Sequence, residues 1–229
     1  GDVYKRQENA VAFDINAACS GFLFALDTAA LYLEHGGYQH ALVIGAETLS
    51  KMMDWTDRST CVLFGDGAGA AVLSASKEDG ILSMVQGSDG FRGDVLNCMA
   101  RKVNNPYKKS DTALSYVSMN GQEVYRFAVK TVPKAVTDAV EQAGLQLEEV
   151  DLFLLHQANY RIIEAVSKRL GQPMEKFPTN LEECGNISAA SVPILLDNVN
   201  NHGMMRKGMK IVLAGFGAGL TWGATVINW

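Results

Sequence analysis

FDINAACSGFLFAL, residues 13–26, is the stretch that decides the fold, because a strand-like segment ends there and an apolar helical segment begins. Cys19 stands at the junction, among alanine, serine and glycine. Unpaired backbone N–H groups and the positive end of the helix dipole would favour its thiolate, which is a nucleophile suited to thioesters. From position alone, a packing cysteine is equally possible. The small neighbours leave room around the sulfur, and this favours the nucleophile.

The segments that follow predict a buried helix and several strands. SGFLFALDTAALYLEHGG, residues 20–37, is apolar on nearly every side and predicts a helix in the middle of a domain, ended by its two glycines. Residues 40–47 and 61–76 predict buried strands around a glycine-rich turn, and residues 80–90 predict another strand. The glycines around Asp66 could form a phosphate cradle, but a strand follows them and not a helix N-terminus. We therefore expect these glycines to permit close approach of another backbone segment.

The second half of the chain begins after a polar segment. Residues 91–117 predict a long loop, because they are aperiodic and locally basic. Helical spacing then runs from Tyr125 to Ala143, with a kink expected at Pro133. VDLFLLHQAN, residues 150–159, predicts a strand that runs into a loop, and residues 160–171 predict a helix with inward Ile and Val.

An internal repeat predicts the architecture. The order of small-residue turn, buried helix, glycine break, strand, glycine-rich loop and strand runs from Asn16 to about Ser74, and it recurs from Gly185 to Trp229. Such a duplication indicates an α/β fold in which the two helix starts meet at a shared centre. We place the boundary between the halves at residues 117 and 118, which gives domains 1–117 and 118–229.

Composition excludes several classes of protein. The 229 residues are 48% hydrophobic and 20% charged, which is typical of a globular protein. The net charge of −5 argues against nucleic acid as the main partner, and no apolar run approaches the roughly 20 residues that cross a bilayer. The four cysteines show no CxxC pairing, which predicts reduced thiols in a cytoplasm and neither a disulfide framework nor a zinc site. The polar first seven residues match no periodicity, and we expect a truncated or foreign N-terminus.

Two polar residues of the second half are candidates for chemistry. His156 follows the apolar run DLFLL and should emerge at the end of a strand, where α/β proteins place their sites. Asn186 lies in ECGNISAAS before the repeated helix. Taken singly, His156 is compatible with a hydrogen-bonded structural histidine and Asn186 with a helix N-cap.

Four motifs taken together identify a family. NAACSGF, LLHQAN, GNISAAS and the terminal GFGAGLTWG resemble, in this order, the ketoacyl-acyl-carrier-protein synthase III family of the thiolase superfamily. The resemblance runs from about Ala12 to Trp229. It implies a thiolase-like, duplicated α-β-α layered fold, of which the family's first βαβ portion is missing here. It also implies an initiating condensing enzyme of type II fatty acid synthesis, which is an acyltransferase.

The resemblance assigns roles to the candidate residues. Cys19 matches the nucleophile that takes an acyl group from acyl-CoA. His156 and Asn186 match the pair that binds the malonyl thioester carbonyl, where their N–H groups would stabilise the enolate formed on decarboxylation. The second oxyanion would lie between the backbone N–H of Cys19 and that of Ala218, where the family often has glycine. The product would be 3-oxoacyl-acyl carrier protein, with CO2 and CoA.

Partner contacts are also implied by the resemblance. Arg58 matches an arginine that contacts CoA, although it could instead pair with Asp54 or Asp57. Asn159 would fix the pantetheine arm or His156. The expected contacts with the carrier protein are Gln157, Arg161, Arg126, Lys168 and Arg169. For the last three, an ordinary solvated helix face is the more common role. The resemblance implies that acyl-CoA and malonyl-acyl carrier protein are substrates. It implies no cofactor or metal. It also leads us to expect a homodimer in the cytoplasm.

Other functions compete with this one. A CoA-dependent relative could condense acyl and malonyl groups for a polyketide or another secondary metabolite. An inactive truncated fragment or dimerising partner is the alternative from another class, because missing strands would leave an unpaired sheet edge. Hydroxymethylglutaryl-CoA synthases need a further catalytic glutamate, for which Glu47 is a candidate that its context does not favour. A papain-like hydrolase is remote, because it lacks this glycine-rich terminus.

Overall fold

The computed structural model describes residues 10–78, 80–98, 107 and 115–229. Among them the helices are α1 (Gly21–Glu34), α2 (Gly121–Gln142), α3 (Tyr160–Leu170), α4 (Leu181–Cys184) and α5 (Ser191–Asn201). The strands are β1 (His40–Thr48), β2 (Asp66–Ser74), β3 (Ile81–Ser88), β4 (Leu96–Asn97), β5 (Ser118–Met119), β6 (Leu152–Leu155), β7 (Lys210–Gly217) and β8 (Thr221–Asn228). No helix in this part of the chain is long and apolar enough to span a membrane.

The second half is built on one four-stranded sheet. Its strand order is β3-β8-β7-β6, with β6 parallel to β7 and the other pairs antiparallel. β6 is buried at every position, as the unbroken apolar run LFLL predicts. Helices α2 and α3 cover one face of this sheet and form its larger core. Asn120 is the N-cap of α2, and its side chain accepts the Glu123 N–H. The helix continues through Pro133 to Gln142, so Pro133 does not end it.

The first half is a smaller version of the same arrangement. β1 and β2 pair antiparallel over their full length, with Gly45 opposite Gly69. A second core joins α1, α5 and the far face of the larger sheet. A Cβ built on Gly69 would lie 2.8 Å from the backbone nitrogen of Ile194 on α5. The glycines of this strand therefore permit close backbone approach, as the sequence predicts.

The predicted duplication is present, with one difference in the hairpins. The three-residue 3-10 turns Ala18–Ser20 and Ser188–Ala190 precede α1 and α5, and the two turns contact each other. The hairpin of the second half closes between Gly217 and Thr221, whereas that of the first half extends from Thr48 to Asp66. The residues inserted in the first hairpin include Arg58.

Three predictions about the first half need correction. β1 and β2 alternate between exposed and covered positions and are not buried strands, because one face of their sheet is open. β2 begins at Asp66, since residues 61–63 form turns. α1 leaves its outer face open and exposes Leu31 and Tyr32, so it is not buried all round.

The predicted division of the chain does not follow the sheets. β3 belongs by sequence to the first half but pairs with β8, because Leu82 and Val85 pack against the larger core. Part of the predicted loop 91–117 is also ordered: residues Gly90–Val95 form a 3-10 helix, and Leu96–Asn97 pair with Ser118–Met119. Residues 99–106 and 108–114 of that loop lie outside the described residues.

Candidate active site

Cys19 lies in a strained turn immediately before α1. The Asn16 side-chain oxygen accepts the backbone N–H of Ala18 at 3.1 Å, which closes the turn. Ala18 has φ +47°, a left-handed conformation that is uncommon outside glycine. Strained turns of this kind persist where the surrounding structure holds them, often at functional sites. Cys19 itself is 8% exposed.

The thiol of Cys19 is protonated, contrary to the sequence-based expectation of a thiolate. Burial raises its pKa to about 11, and the charge of Glu47 adds to this rise. A hydrogen bond with Ser188 acts in the opposite direction and is the largest lowering cause. α1 begins at Gly21, two residues beyond the sulfur, and its field does not offset the desolvation. Nucleophilic attack by this sulfur would therefore require loss of the proton.

His156 emerges where β6 ends, as predicted. Its backbone N–H donates to Ala214 at 2.7 Å, and its ring contacts Phe216 edge-on at 5.4 Å between centroids. Burial lowers the pKa of the imidazole to about 4, so it is neutral at physiological pH. Among the described residues its Nδ1 has no hydrogen-bond partner. A neutral imidazole has one N–H donor and one acceptor nitrogen for chemistry.

Cys19 and His156 meet at Gly215 of β7. A Cβ built on Gly215 would lie 3.5 Å from the backbone oxygen of Cys19 and 3.8 Å from the Cβ of His156. The tertiary structure therefore brings the backbone of Cys19 and the side chain of His156 next to one glycine, although the two residues are far apart in the sequence.

Asn186 reaches the same place through the turn before α5. Its side-chain oxygen accepts the Ser188 N–H at 2.9 Å, and Ser188 is the residue that hydrogen-bonds the Cys19 thiol. The Asn186 backbone also exchanges hydrogen bonds with Leu63 and Gly65. α5 has Ala190 at its N-cap, so Asn186 is not the helix cap that was its alternative role. Among the described residues no hydrogen bond occupies its Nδ2, which is free to donate.

The Gly217–Thr221 hairpin packs against the turn that holds Cys19. A Cβ built on Gly217 would lie 2.7 Å from the nitrogen of Cys19, so only glycine allows the hairpin to approach the Cys19 backbone this closely. The Thr221 hydroxyl lies 3.0 Å from the carbonyl oxygens of both Ala17 and Ala218, and it can donate to either. Thr221 thus ties the hairpin to the turn and orients the peptide of Ala218, whose role in an oxyanion hole stays a prediction.

A cavity of about 1140 Å³ opens beside the sulfur. The described residues that line it include Cys19, Glu47, Ser188 and Ala218, but neither His156 nor Asn186. The two polar partners therefore lie beside the cavity rather than along its wall. In the described parts of the chain, no cluster of histidine, cysteine and acidic residues could hold a metal ion.

The predicted CoA contacts lie at the surface. Arg58 is exposed, and no ion pair engages it among the described residues. Asp54 and Asp57, its alternative partners, accept hydrogen bonds from the turn residues that follow each of them. Asn159 is exposed and its oxygen accepts the Arg161 N–H as the N-cap of α3.

The expected carrier-protein contacts divide into exposed and buried residues. The prediction that Gln157 contacts the carrier protein at the surface is wrong, because only 1% of this residue is exposed. Its amide donates to the Leu155 carbonyl and accepts the Asn180 N–H, so it fixes the end of β6. The exposed cations are Arg161, Arg126, Lys168 and Arg169. Two of them are in surface ion pairs: Arg126 with Glu123 at 2.6 Å and Lys168 with Glu164 at 2.8 Å.

Two contacts of the turn that holds Cys19 were not predicted from the sequence. Ser188 hydrogen-bonds the Cys19 thiol, and the Thr221 hydroxyl joins this turn to the Gly217–Thr221 hairpin. Ser188 could have been found from the internal repeat, since it occupies in GNISAAS the place of Ala18 in NAACSG. Thr221 carries no such signal, because its contact depends on how the hairpin folds back.

Comparison with known proteins agrees with this arrangement. The family model described as 3-oxoacyl-[acyl-carrier-protein (ACP)] synthase III matches residues 13–90, and the model of its C-terminal part matches residues 140–229. Beta-ketoacyl-[acyl-carrier-protein] synthase III of Clostridium acetobutylicum is 49% identical over 223 residues, which are 97% of this chain and 69% of that protein.

Solved structures share the fold. 3-Oxoacyl-[acyl-carrier-protein] synthase III of Aquifex aeolicus superposes with a TM-score of 0.88 at 41% identity, over 97% of this chain and 68% of the other. The priming beta-ketosynthase of the R1128 polyketide biosynthetic pathway gives 0.89 at 38%, over 96% and 66%. The fold is thus thiolase-like, as expected. From the family models, the identities and the coverage together, the chain belongs to the 3-oxoacyl-[acyl-carrier-protein] synthase III family.

Proposed function

We propose that the chain catalyses the initiating condensation of fatty acid synthesis, as an acyltransferase that joins an acyl group from acyl-CoA to a malonyl-derived unit on acyl carrier protein. The observation that carries the proposal is the convergence of three turns: Cys19 and His156 meet at Gly215, and Ser188, which Asn186 holds, bonds the thiol of Cys19. Membership of the family supports the same conclusion.

Acyl transfer begins at the neutral thiol of Cys19. Its sulfur attacks the thioester carbonyl of acyl-CoA, and the acyl–sulfur bond to CoA breaks, so that CoA leaves as a thiol with the proton from Cys19. His156 is neutral and lies across Gly215, and we assign it the transient acceptance of that proton. The oxyanion formed during attack would be stabilised by the N–H groups of Cys19 and Ala218.

Decarboxylation then generates the carbon nucleophile. Loss of CO2 from the malonyl thioester leaves an enolate, whose oxygen takes hydrogen bonds from His156 and from the Nδ2 of Asn186. The lowered pKa of His156 keeps its imidazole neutral, and a neutral imidazole can donate this hydrogen bond through its N–H. The step therefore needs no general base. The enolate carbon attacks the acyl group on Cys19, and the thioester bond to the sulfur breaks. The sulfur then takes a proton from solvent water, because the proton that it first carried left with CoA.

The test is mass spectrometry of the protein after incubation with acetyl-CoA or a branched acyl-CoA. We expect an acyl adduct on the Cys19 peptide, and none in Cys19→Ser. Cys98→Ser removes an exposed cysteine and should keep the adduct. Absence of the adduct from the unaltered chain would contradict the proposal and favour an inactive fragment or a dimerising partner.

A second candidate function is condensation for a polyketide or another secondary metabolite. The similarity to the priming beta-ketosynthase of the R1128 pathway favours it. Rates with malonyl-CoA and with malonyl-acyl carrier protein, measured on the acyl-loaded protein, separate the two functions. Preference for the carrier protein supports fatty acid synthesis, and preference for free malonyl-CoA supports the alternative.

The carrier protein would dock on an exposed basic surface, which we define as Arg126, Arg161, Lys168 and Arg169. Its attraction to an acidic partner is long-range and weakens as salt rises. We further propose a homodimer located in the cytoplasm. The homodimer is supported by exposed apolar side chains on β1 and β2, including Leu42, Ile44 and Val72. The cytoplasmic location is supported by the four free cysteines. Light scattering on the purified chain tests the dimer.

A further inference from the structure

The turn before α5 repeats the turn before α1 in its hydrogen bonds and its backbone. Asn186 accepts the Ser188 N–H at 2.9 Å as Asn16 accepts the Ala18 N–H at 3.1 Å. Ser188 has φ +46° and Ala18 has φ +47°. Both turns continue as a three-residue 3-10 helix that leads into a long helix. The two turns are therefore equivalent, residue by residue.

In this correspondence Ala189 is the counterpart of Cys19. The strand glycines that face the two residues correspond as well. A Cβ built on Gly45 of β1 would lie 2.6 Å from the Ala189 carbonyl oxygen, and one on Gly215 of β7 would lie 3.5 Å from the Cys19 carbonyl oxygen. Each turn thus packs against a glycine of a strand from the other half.

The two halves differ two residues further along these strands. β7 has Gly217 there, which leaves the space beside the Cys19 N–H free of a side chain. β1 has Glu47, whose carboxylate accepts the Ala189 N–H at 3.3 Å. A carboxylate oxygen therefore occupies, in one half, the position that corresponds to the oxyanion site of the other half.

We propose that Glu47 is a positioning residue of the condensation site, which holds the Asn186 turn against Cys19 by filling the oxyanion position of the inactive half. The turn is then fixed by two acceptors, since Asn186 takes the Ser188 N–H and Glu47 takes the Ala189 N–H. This inference rests on the proposed function for the role of Asn186, but not for the contacts themselves.

Glu47 also acts on the sulfur electrostatically. It lines the cavity beside Cys19, and its negative charge contributes to the raised pKa of the thiol. Among the described residues it supplies the charge that acts on Cys19, because His156 is neutral. A change of charge at residue 47 should therefore be measurable at the sulfur without any substrate.

Three variants separate charge from hydrogen bonding. Glu47→Gln keeps an oxygen that accepts the Ala189 N–H but removes the charge. Glu47→Ala removes both. Glu175→Gln is the matched control, because it changes the net charge equally at an exposed side chain of the 3-10 helix after α3.

The first measurement is the pH profile of Cys19 alkylation by iodoacetamide, followed by mass spectrometry of the Cys19 peptide. Glu47→Gln should shift the profile to lower pH, and Glu175→Gln should leave it unchanged. An unshifted profile in Glu47→Gln would overturn the placement of Glu47 beside the sulfur. This arm needs no enzymatic activity, so it decides the contact even if the unaltered chain proves unable to condense acyl groups.

The second measurement is decarboxylation of a malonyl thioester, which depends on His156 and Asn186. Loss of one charge-assisted hydrogen bond from the turn should lower the rate about tenfold in Glu47→Ala, whereas Glu47→Gln should stay within about twofold of the unaltered chain. Equal decarboxylation rates in Glu47→Ala, Glu47→Gln and the unaltered chain would contradict the positioning role. If Glu47→Ala does not fold, a rate in Glu47→Gln as low as that of Asn186→Ala would contradict it as well.

Discussion

Gly217 approaches Cys19 so closely that a Cβ at this position would lie 2.7 Å from the nitrogen of Cys19 and 2.9 Å from its Cβ. Only glycine at position 217 therefore allows β7 to lie against the Cys19 backbone, whose N–H is a proposed donor to the thioester oxygen that becomes negative during acyl transfer. The equivalent N–H in the other half, that of Ala189, already holds an oxygen of Glu47.

Gly217→Ala should lower the rate of acyl transfer to Cys19 by about a hundredfold, because the methyl group would displace the Cys19 backbone, whose N–H is the proposed oxyanion donor. The measurement is the rate of adduct formation with acyl-CoA by mass spectrometry. Gly93→Ala is the control, since its Cβ would lie at an ordinary 3.7 Å from the Gly219 carbonyl oxygen. Equal adduct rates in the two variants would place the oxyanion elsewhere.

Asn186→Asp should separate the two half-reactions. The new side chain keeps an oxygen for the Ser188 N–H but replaces the free NH2 with a second oxygen, which repels an enolate. We expect decarboxylation to fall by about a hundredfold or more while the acyl adduct on Cys19 still forms. Asn200→Asp, on the exposed side of α5, serves as the control. Unchanged decarboxylation in Asn186→Asp would remove Asn186 from the proposed mechanism.

Asp27 makes the stability of the fold depend on pH. It is buried on α1, where it accepts hydrogen bonds from Gln86 and Thr225, and burial raises its pKa from 3.8 to about 6. The folded chain thus binds the proton more tightly than the unfolded chain, and stability is lost as pH rises from about 4 through 6. The cost of ionisation at pH 7.5 is about 2–3 kcal/mol.

Asp27→Asn should therefore be as stable as the unaltered chain near pH 4 and more stable by about 2–3 kcal/mol at pH 7.5. Urea unfolding at the two pH values measures this difference. Asp197→Asn, at the exposed equivalent position on α5, should show no such dependence. A stability difference that is the same at both pH values would show that the pKa of Asp27 is not raised.

Arg58→Ala should weaken the binding of acyl-CoA. Arg58 is exposed on the inserted hairpin, and Asp54 and Asp57 are engaged by their own turns. A guanidinium that is free of ion pairs can bind phosphate groups. We expect KM for acyl-CoA to rise about tenfold with kcat unchanged, and the difference to shrink at high salt. Arg206→Ala is the exposed control, and an equal KM in both variants would argue against the CoA contact.

Arg161→Glu tests the basic surface. It should lower the rate with malonyl-acyl carrier protein while the rate with malonyl-CoA stays the same, since only the larger donor needs a docking surface. The effect should be about tenfold at low salt and smaller at high salt. Two donors in one protein provide the control. A parallel fall with both donors would indicate that Arg161 acts on His156 or on the fold of α3 instead.

Several features of the molecule could be predicted from local sequence. The small-residue turn followed by an apolar run predicts α1, and the run LFLL predicts β6, because periodicity and burial are written in neighbouring residues. The repeat of NAACSG in GNISAAS predicts two equivalent turns that face each other. The four motifs together predict the family, and the comparisons confirm it. The roles of Cys19, His156 and Asn186 stay predictions.

The pKa of Cys19, the burial of Gln157 and the contact of Glu47 were decided only by the tertiary structure. Each depends on residues that are distant in the sequence, so no single segment predicts it. The position of Cys19 at a helix start predicts a thiolate, but the packing of the Ser188 turn and the Gly217 hairpin desolvates the sulfur and raises its pKa instead. Gln157 is polar and follows His156 in the motif, yet its side chain points inward at the end of β6. Its amide group there hydrogen-bonds to the backbone of Leu155 and Asn180. The contact of Glu47 with Ala189 joins residues from opposite halves, and only the folded chain brings them together.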